Sequence, residues 1–342
     1  MSSHEAIAVL QSRLDRCYAG DTCNWQLFYR PRHERANFAT RYHLVYPGLA
    51  YFIMLKRGLA SAPTLRPQLD TMFRGLTDPR VWRYWHDELH ETTWPLQERN
   101  LTYAGRLATF VGFYIDAFGE PPVERIEIGE RSATYSELSR SLWDQMERSP
   151  NCGVSCYRHQ SMVMCNAHLL INNILHDRLF GTSYAASNQA WIDTVVAHLV
   201  CSSGAGPLFY YGTQPNSAAP QQELVSLAAD IWGLFLMSSV IPEQVSDWFD
   251  RWKPNIRLQG DQAVVPATEA EAVHEFSCEE LATAWAYCLA RELGRAHEVG
   301  LFRSRLHAGM ISGFVQDPLI SGLCLLGEVL EPGAFRRLVT GK

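Results

Sequence analysis

The sequence predicts an all-α protein, an (α/α)6 toroid or barrel of about twelve helices filling a single domain over residues 1–342. Three observations carry this expectation. Helix start and stop signals recur at short intervals, strand-like runs are few and isolated, and one long apolar stretch carries no charge. About twelve helices, taken as six hairpins of roughly fifty residues each, suit an inner ring that lines a cavity and an outer ring that covers it.

The elements follow in order. Helices are expected over about 3–18, 36–59, 66–76 and 79–89. "LTYAGRLATFVGFYIDAFGEPP" then places Leu101, Ala104, Leu107, Ala108, Val111, Ile115 and Phe118 at helical spacing and stops at Gly119, with Pro121 and Pro122 beyond. Thr134 and Glu137 form a capping box that opens the next helix, which ends before Pro150. Further helices are expected over about 161–179, 185–202, 222–239 and 242–252. A second box, Ser277 with Glu280, opens a helix that closes at Gly294, and 295–308 and 319–330 complete the set. "RIEIG" at 125–129, "LFYYG" at 208–212 and "AVVP" at 263–266 are isolated runs that read as loop or small ribbon. No Pro/Ser-rich linker divides the chain.

From His159 to His176 there is no Asp, Glu, Lys or Arg, so this helix lacks a solvated face and reads as an inner one. Val163, Ala167, Leu170 and Ile174 form one stripe, and Cys165, His168, Asn172 and His176 form another, expected to face a cavity. Thr102, Arg106 and Thr109 make a similar polar line on the 101–118 helix, beside Phe110 and Phe113. Two such helices describe a pocket for a mostly apolar ligand with a few polar groups.

Composition narrows the partners. The chain has 47% hydrophobic residues and a net charge of −6 without a Lys/Arg cluster, so neither nucleic acid nor an anionic membrane is an expected partner. The N-terminus lacks the apolar core of a signal peptide and no segment offers eighteen uncharged apolar residues, so no membrane span is expected and the expected location is cytoplasmic. There Cys17, Cys23, Cys152, Cys156, Cys165, Cys201, Cys278, Cys288 and Cys324 should be mostly reduced thiols.

The densest chemistry lies in "NCGVSCYRHQSMVMCNAH", residues 151–168. A zinc site from Cys152, Cys156, Cys165 and His168 fits no finger spacing well, and its last two ligands would sit inside an apolar helix. "HDELH" at 86–90 has an acid in the wrong place for a zinc protease. No phosphate loop, dinucleotide fingerprint or nucleophile elbow is present, so no metal and no cofactor is expected. Asp193, His198, Asp230 and His274 stand in no motif and read as structural. Thiol chemistry remains beside the alternative of inert buried cysteines: Cys165 lies in the first turn of its helix, where thiolate is favoured, and Cys156 lies just before it, with Arg158 and His159 as electropositive neighbours.

These residues carry a family resemblance. Cys156 and Cys165-Asn166 have the spacing of two active-site cysteines, followed by "LHDRLFGTSYA" at 175–185. With "RNLTYAGRLATFVGFYIDAFGE" at 99–120, "RYHLVYPGLAYF" at 41–52, "DPRVWRYW" at 78–85 and "ATAWAYCLARELG" at 282–294, the chain resembles the linalool dehydratase/isomerase family. The resemblance implies an (α/α)6 toroid with a pocket for a small terpenoid alcohol, cofactor-free acid–base dehydration and allylic isomerisation, and a homo-oligomer. By the same analogy Cys156 and Cys165 transfer protons, Tyr42 hydrogen-bonds the substrate, and Thr102 and Arg106 belong to the pocket wall, with Tyr103, Tyr157, His159 and Asn166 beside the substrate.

The chain departs from the family at two points. Arg106 stands where the family has its acid–base histidine, and "RHERANFATRY" holds no acid nearer to Tyr42 than Glu34 in place of the catalytic aspartate. Arginine stays protonated and is no ordinary base, but it can anchor a carboxylate or stabilise an enolate or carbonyl oxygen. The expected function is a cofactor-independent lyase or isomerase acting on a hydrophobic or oxygenated, terpenoid or related natural-product intermediate. The alternatives are an intramolecular cyclase or pericyclase of the same fold in secondary metabolism, and a non-catalytic toroid that binds a hydrophobic ligand.

Overall fold

The computed structural model describes residues 2–27, 40–87, 89–156, 160–201, 208–210, 212–213, 226–266, 279–312 and 317–342. Six helices form a closed ring: α2 (Tyr42–Lys56), α6 (Leu101–Phe118), α8 (Val163–Phe180), α10 (Leu227–Met237), α12 (Glu279–Glu292) and α14 (Pro318–Val329), each packed on the next, with α14 returning to α2. Outside them lie α1 (Ser3–Tyr18), α3 (Ala62–Thr77), α7 (Tyr135–Arg148), α9 (Asn188–Thr194), α11 (Pro242–Trp252) and α13 (Ala296–Ser312). This is the α/α toroid that the helix punctuation predicts.

The two rings differ as their sequences require. On α6 every residue from Leu101 to Ile115 is buried, and on α14 every residue is, because an inner helix has neighbours on all sides. By contrast α7 buries only Tyr135, Leu138, Ser139, Leu142 and Met146, one face at three-to-four spacing. The Thr134–Glu137 capping box is formed in both directions, and α6 ends at Gly119 with φ of 77°. Ser277 of the second expected box lies outside the described residues.

Several local expectations change. The helix expected over 79–89 is two short ones, α4 (Pro79–Trp82) and α5 (Tyr84–Asp87), anchored separately as the Trp82 indole donates to the Thr77 carbonyl and the Trp85 indole to that of Thr93. The stretch 185–202 breaks into a 3-10 turn, α9 and a π turn at Val195–Leu199. Among the described residues three small ribbons appear: β1 (Ile126–Ile128) with β2 (Arg131–Ala133), β3 (Gln160–Ser161) with β4 (Gly212–Thr213), and β5 (Arg257–Gln259) with β6 (Gln262–Val264), all antiparallel. Asp230 is structural, accepting the backbone N–H groups of Leu208 and Phe209 at 2.6 and 2.9 Å.

A terminal helix, α15 (Ala334–Thr340), was not anticipated. Its Phe335 ring stacks on Phe235 at 4.8 Å and meets Phe113 at 6.5 Å, and its Leu338 carbonyl accepts from Arg178. Those partners lie in the last turns of α10, α6 and α8, so α15 closes the end of the barrel where these inner helices finish. Among the described residues no single helix is long and apolar enough to cross a membrane, and α14 with α15 is bent by 94°.

Pro47 sits inside α2, where it removes an N–H; the carbonyl of His43 instead accepts from the Tyr18 hydroxyl of α1. Opposite it, Gly322 lets α14 approach: a Cβ there would lie 2.5 Å from Pro47 Cγ and 2.9 Å from its Cα. Gly322→Ala is therefore expected to destabilise the barrel by about 1–3 kcal/mol through overpacking. Thermal denaturation monitored by circular dichroism checks this, and an unchanged melting temperature would contradict it.

Candidate active site

The end of the barrel opposite α15 gathers the first turns of the inner helices. There α2 contributes Tyr42 and, one turn on, Tyr46; α6 contributes Thr102, Arg106 and Thr109; α8 contributes Cys165 and His168. Residues spaced by three or four lie one above another on a helix, so three facing helices build two storeys of polar groups.

The upper storey centres on Arg106, fully buried on α6. Its Nη1 donates to the Thr102 carbonyl at 2.6 Å and hydroxyl at 3.1 Å, and its two terminal nitrogens lie 3.8 and 3.9 Å from Cys165 Sγ. The guanidinium packs over the Tyr42 ring at 4.7 Å and the Trp232 ring at 4.9 Å. A second buried arginine, Arg41, donates to the Thr102 hydroxyl at 3.0 Å and the Tyr42 hydroxyl at 3.2 Å.

Cys156 and Cys165 are free, buried thiols, close enough that each shifts the ionisation of the other. Burial on its own would raise the Cys165 pKa. The bond from Cys156, the Arg106 charge, and further bonds from Arg106 and Thr102 outweigh it and bring the thiol down to about 6. Burial pushes Cys156 well above the ordinary thiol range, and its neighbouring thiolate pushes it the same way. The two shifts run in opposite directions, so Cys165 is the member of the pair that favours thiolate and Cys156 the one that keeps its proton.

Local structure explains the pairing. Cys165 is the third residue of α8, within the turn whose free N–H groups favour an anion. The Asn166 side chain accepts the N–H of Val154 at 2.8 Å and donates to its carbonyl at 3.1 Å, clamping the 154–156 strand of loop onto that turn. The N–H of Cys156 bonds the Gln160 carbonyl at 2.7 Å, and the Ser155 carbonyl accepts from Leu101 of α6 at 3.1 Å. Cys152 lies outside this group, in the turn after α7, with φ of 56°.

In the lower storey Tyr46 Oη lies 3.0 Å from His168 Nε2, and His168 Nδ1 lies 3.3 Å from Thr109 Oγ1. Thr109 donates its one hydroxyl proton to a carbonyl, with that of Gly105 at 2.8 Å. It therefore accepts from Nδ1–H, which leaves Nε2 to accept from the Tyr46 hydroxyl. Burial and then the Arg106 charge lower the His168 pKa well below its usual value, so the ring is neutral. Trp285 meets Tyr46 edge-on at 4.7 Å and stacks on Trp232 at 5.8 Å. Below, Leu49, Phe52, Phe110, Phe113, Ile171, Leu236 and Phe335 enclose a void of about 10 Å³, an apolar floor.

Of the residues expected from sequence, Tyr42, Thr102, Arg106, Cys156 and Cys165 come together. Tyr103 does not join them: its hydroxyl donates to the Leu76 carbonyl at 2.8 Å, a bond into the outer layer. Asn166 is a backbone clamp, its side chain engaged by Val154 and the Met162 carbonyl rather than open to a ligand. Tyr157, Arg158 and His159 lie outside the described residues. The α8 stripe also divides, because Asn172 turns to Tyr135 and Ser139 of α7 and His176 to Thr182 and Ser136. Arg41, Tyr46, Trp232 and Trp285 were missed; for the three aromatic residues the aromatic content of the helices was the signal, and for Arg41 its place beside Tyr42.

The sequence model of the linalool dehydratase/isomerase family matches residues 59–308, a span that contains both cysteines and Arg106. The chain belongs to this family. The linalool dehydratase/isomerase family is one of enzymes of dehydratase/isomerase type. Solved structures share the fold: the Lin0763 protein from Listeria innocua, at 12% identity and a TM-score of 0.58, covers 96% of this chain and 97% of its own. The α-1,6-mannanase GH76A of Salegentibacter sp. HEL1_6, seen with α-1,6-mannotriose, is 10% identical with a TM-score of 0.55, over 98% of this chain and 100% of that one. These identities carry the toroid and no chemistry.

Proposed function

We propose that this member of the linalool dehydratase/isomerase family is a cofactor-independent lyase or isomerase that removes water from, or moves a double bond in, an oxygenated terpenoid-like molecule. The pairing of Cys165 and Cys156 beside Arg106, whose terminal nitrogens lie 3.8 and 3.9 Å from Cys165 Sγ, is the observation that supports it most. Dehydration and allylic isomerisation each need one proton removed and one supplied, and two neighbouring thiols shifted in opposite directions suit both tasks. The aromatic walls and apolar floor favour a hydrocarbon skeleton, and Arg106 suits an oxygen that gains negative charge.

A glycosidase reading of the mannanase likeness has less support, because that chemistry uses a pair of carboxylates across the scissile bond. The described side chains gathered here are tyrosine, threonine, arginine, cysteine, histidine and tryptophan. Mass-spectrometric product analysis of the purified protein against terpenoid alcohols, acids and polyenes tests the proposal. A product lighter by one water supports a dehydratase and an isobaric one with a shifted double bond an isomerase. A new ring would point to a cyclase, and ligand binding without turnover to a binding protein.

The pH dependence follows from the pair. Turnover requires Cys165 deprotonated and Cys156 protonated, so kcat/KM is expected to rise with pH through about 6 and to hold across the ordinary thiol range, since Cys156 titrates above it. A profile whose rising limb sits instead at the pKa of a free thiol, about 8.5, would remove Cys165 as the base.

A further inference from the structure

We infer that the substrate of this site is a carbonyl compound, with a β-hydroxyl group or a β,γ double bond, whose oxygen becomes an enolate oxyanion against Arg106 when Cys165 takes the neighbouring proton. This rests on the acid–base reading above and names the substrate class within it. The argument begins from charge. Arg106 is wholly buried, and among the described residues the one anionic group against it is the Cys165 sulfur, at 3.8 and 3.9 Å. A buried guanidinium without an anion is costly.

When Cys165 acts as a base it becomes a neutral thiol, and Arg106 loses that anion in the same step. The step conserves charge beside Arg106 only if the electron pair released from carbon reaches an atom there. Removing a proton α to a carbonyl does so, because the pair delocalises onto oxygen. Direct ionisation of a simple tertiary alcohol does the opposite, placing a carbocation beside a fixed guanidinium.

Hydrogen-bond demand points the same way. Arg106 Nε and Trp232 Nε1 are both buried without an acceptor among the described residues, and their groups stack at 4.9 Å. Two unsatisfied donors on adjoining groups call for an acceptor oxygen. The neutral His168 adds no competing positive charge.

The bonds balance without a cofactor. The Cα–H bond breaks, the proton goes to Cys165 Sγ, and the electron pair forms the enolate. For a β-hydroxy substrate the enolate collapses, the Cβ–O bond breaks, and Cys156 protonates the departing hydroxide to give water. For a β,γ-unsaturated substrate Cys156 protonates Cγ instead, giving the conjugated isomer. Either way Cys165 holds a thiol and Cys156 a thiolate, and transfer of one proton from Cys165 to its neighbour Cys156 restores the starting state.

Two readouts test this. In deuterated water, β-hydroxy and β,γ-unsaturated ketones, acids and thioesters are scored for deuterium at the α-carbon, beside allylic alcohols that lack a carbonyl. Exchange into the carbonyl compounds, lost in Cys165→Ala, is expected. Separately, an apolar hydroxamate, whose anion mimics an enolate, is titrated calorimetrically in buffers of different ionisation enthalpy at about pH 8, where Cys165 is thiolate. Because the free hydroxamic acid is still largely protonated at that pH, its proton should pass to Cys165 with almost no net exchange with buffer in the wild type, whereas Cys165→Ser should release about one proton on binding the anion, and affinity should fall about tenfold to a hundredfold in Arg106→Met. Turnover of carbonyl-free alcohols without exchange into any carbonyl compound would overturn this inference and leave the lyase reading standing. Absence of exchange and of any product across both sets, with hydroxamate binding equal in wild type and Arg106→Met, would overturn both.

Discussion

Cys165→Ala is expected to lower turnover by about 10²–10⁴-fold, the range for losing a positioned general base, while the chain still folds. The pH dependence of its stability separates this from a packing effect. The folded-state pKa of Cys165 lies at about 6, below that of an unfolded thiol, so its thiolate contributes stability that is complete above the unfolded value and is lost as pH falls through about 6. The melting temperature of Cys165→Ala should therefore trail the wild type most at about pH 9, where Arg106 loses an anion by the substitution, and least at about pH 5, where the wild-type thiol is already neutral. A gap that does not change with pH would mean that the sulfur is packing rather than charge. Retained turnover would remove Cys165 from the chemistry altogether.

What was legible in the sequence was what is local. The Thr134–Glu137 box and the stop at Gly119 are fixed by bonds within a few residues, and both formed as expected. The charge-free run after His159 marked α8 as an inner helix because burial on every side leaves no place for a charge. The polar line Thr102, Arg106 and Thr109 was visible because a helix stacks every third or fourth residue. Periodicity does not say which neighbour a polar group meets. Asn172 and His176 share the stripe of Cys165 and His168, yet α7 takes them. Asn166 follows a reactive cysteine in sequence and serves the backbone behind it.

The lower storey was illegible for a related reason. Tyr46 and His168 are brought together across 122 positions by ring closure, and nothing near either residue announces the other. Arg41 stands beside Tyr42 in sequence but reaches the site only because Thr102 of α6 faces it. The position where the family resemblance gave an arginine for a histidine proved the most informative. Its side chain alone touches Thr102, Cys165, Tyr42 and Trp232.

Arg106→Met should move the Cys165 thiol up from about 6, because burial then acts with less opposition. Methionine keeps much of the apolar stem that lies between Tyr42 and Trp232, so the change isolates charge and hydrogen bonding from bulk. Turnover should fall by about 10²–10³-fold at neutral pH, as for loss of a charge-stabilising donor, and raising the pH should recover only the part due to thiolate population. Arg106→Lys separates the two roles further. An ammonium keeps the charge that favours thiolate, yet it lacks the planar fork that bonds Thr102 while both terminal nitrogens face Cys165. The lysine variant should keep a lowered thiol pKa while remaining impaired in turnover. The thiolate's ultraviolet absorbance, followed against pH in each variant, reads the pKa without any substrate. An unchanged value in Arg106→Met would assign the thiolate to Cys156, Thr102 and the first turn of α8 alone, leaving Arg106 to act on the substrate only.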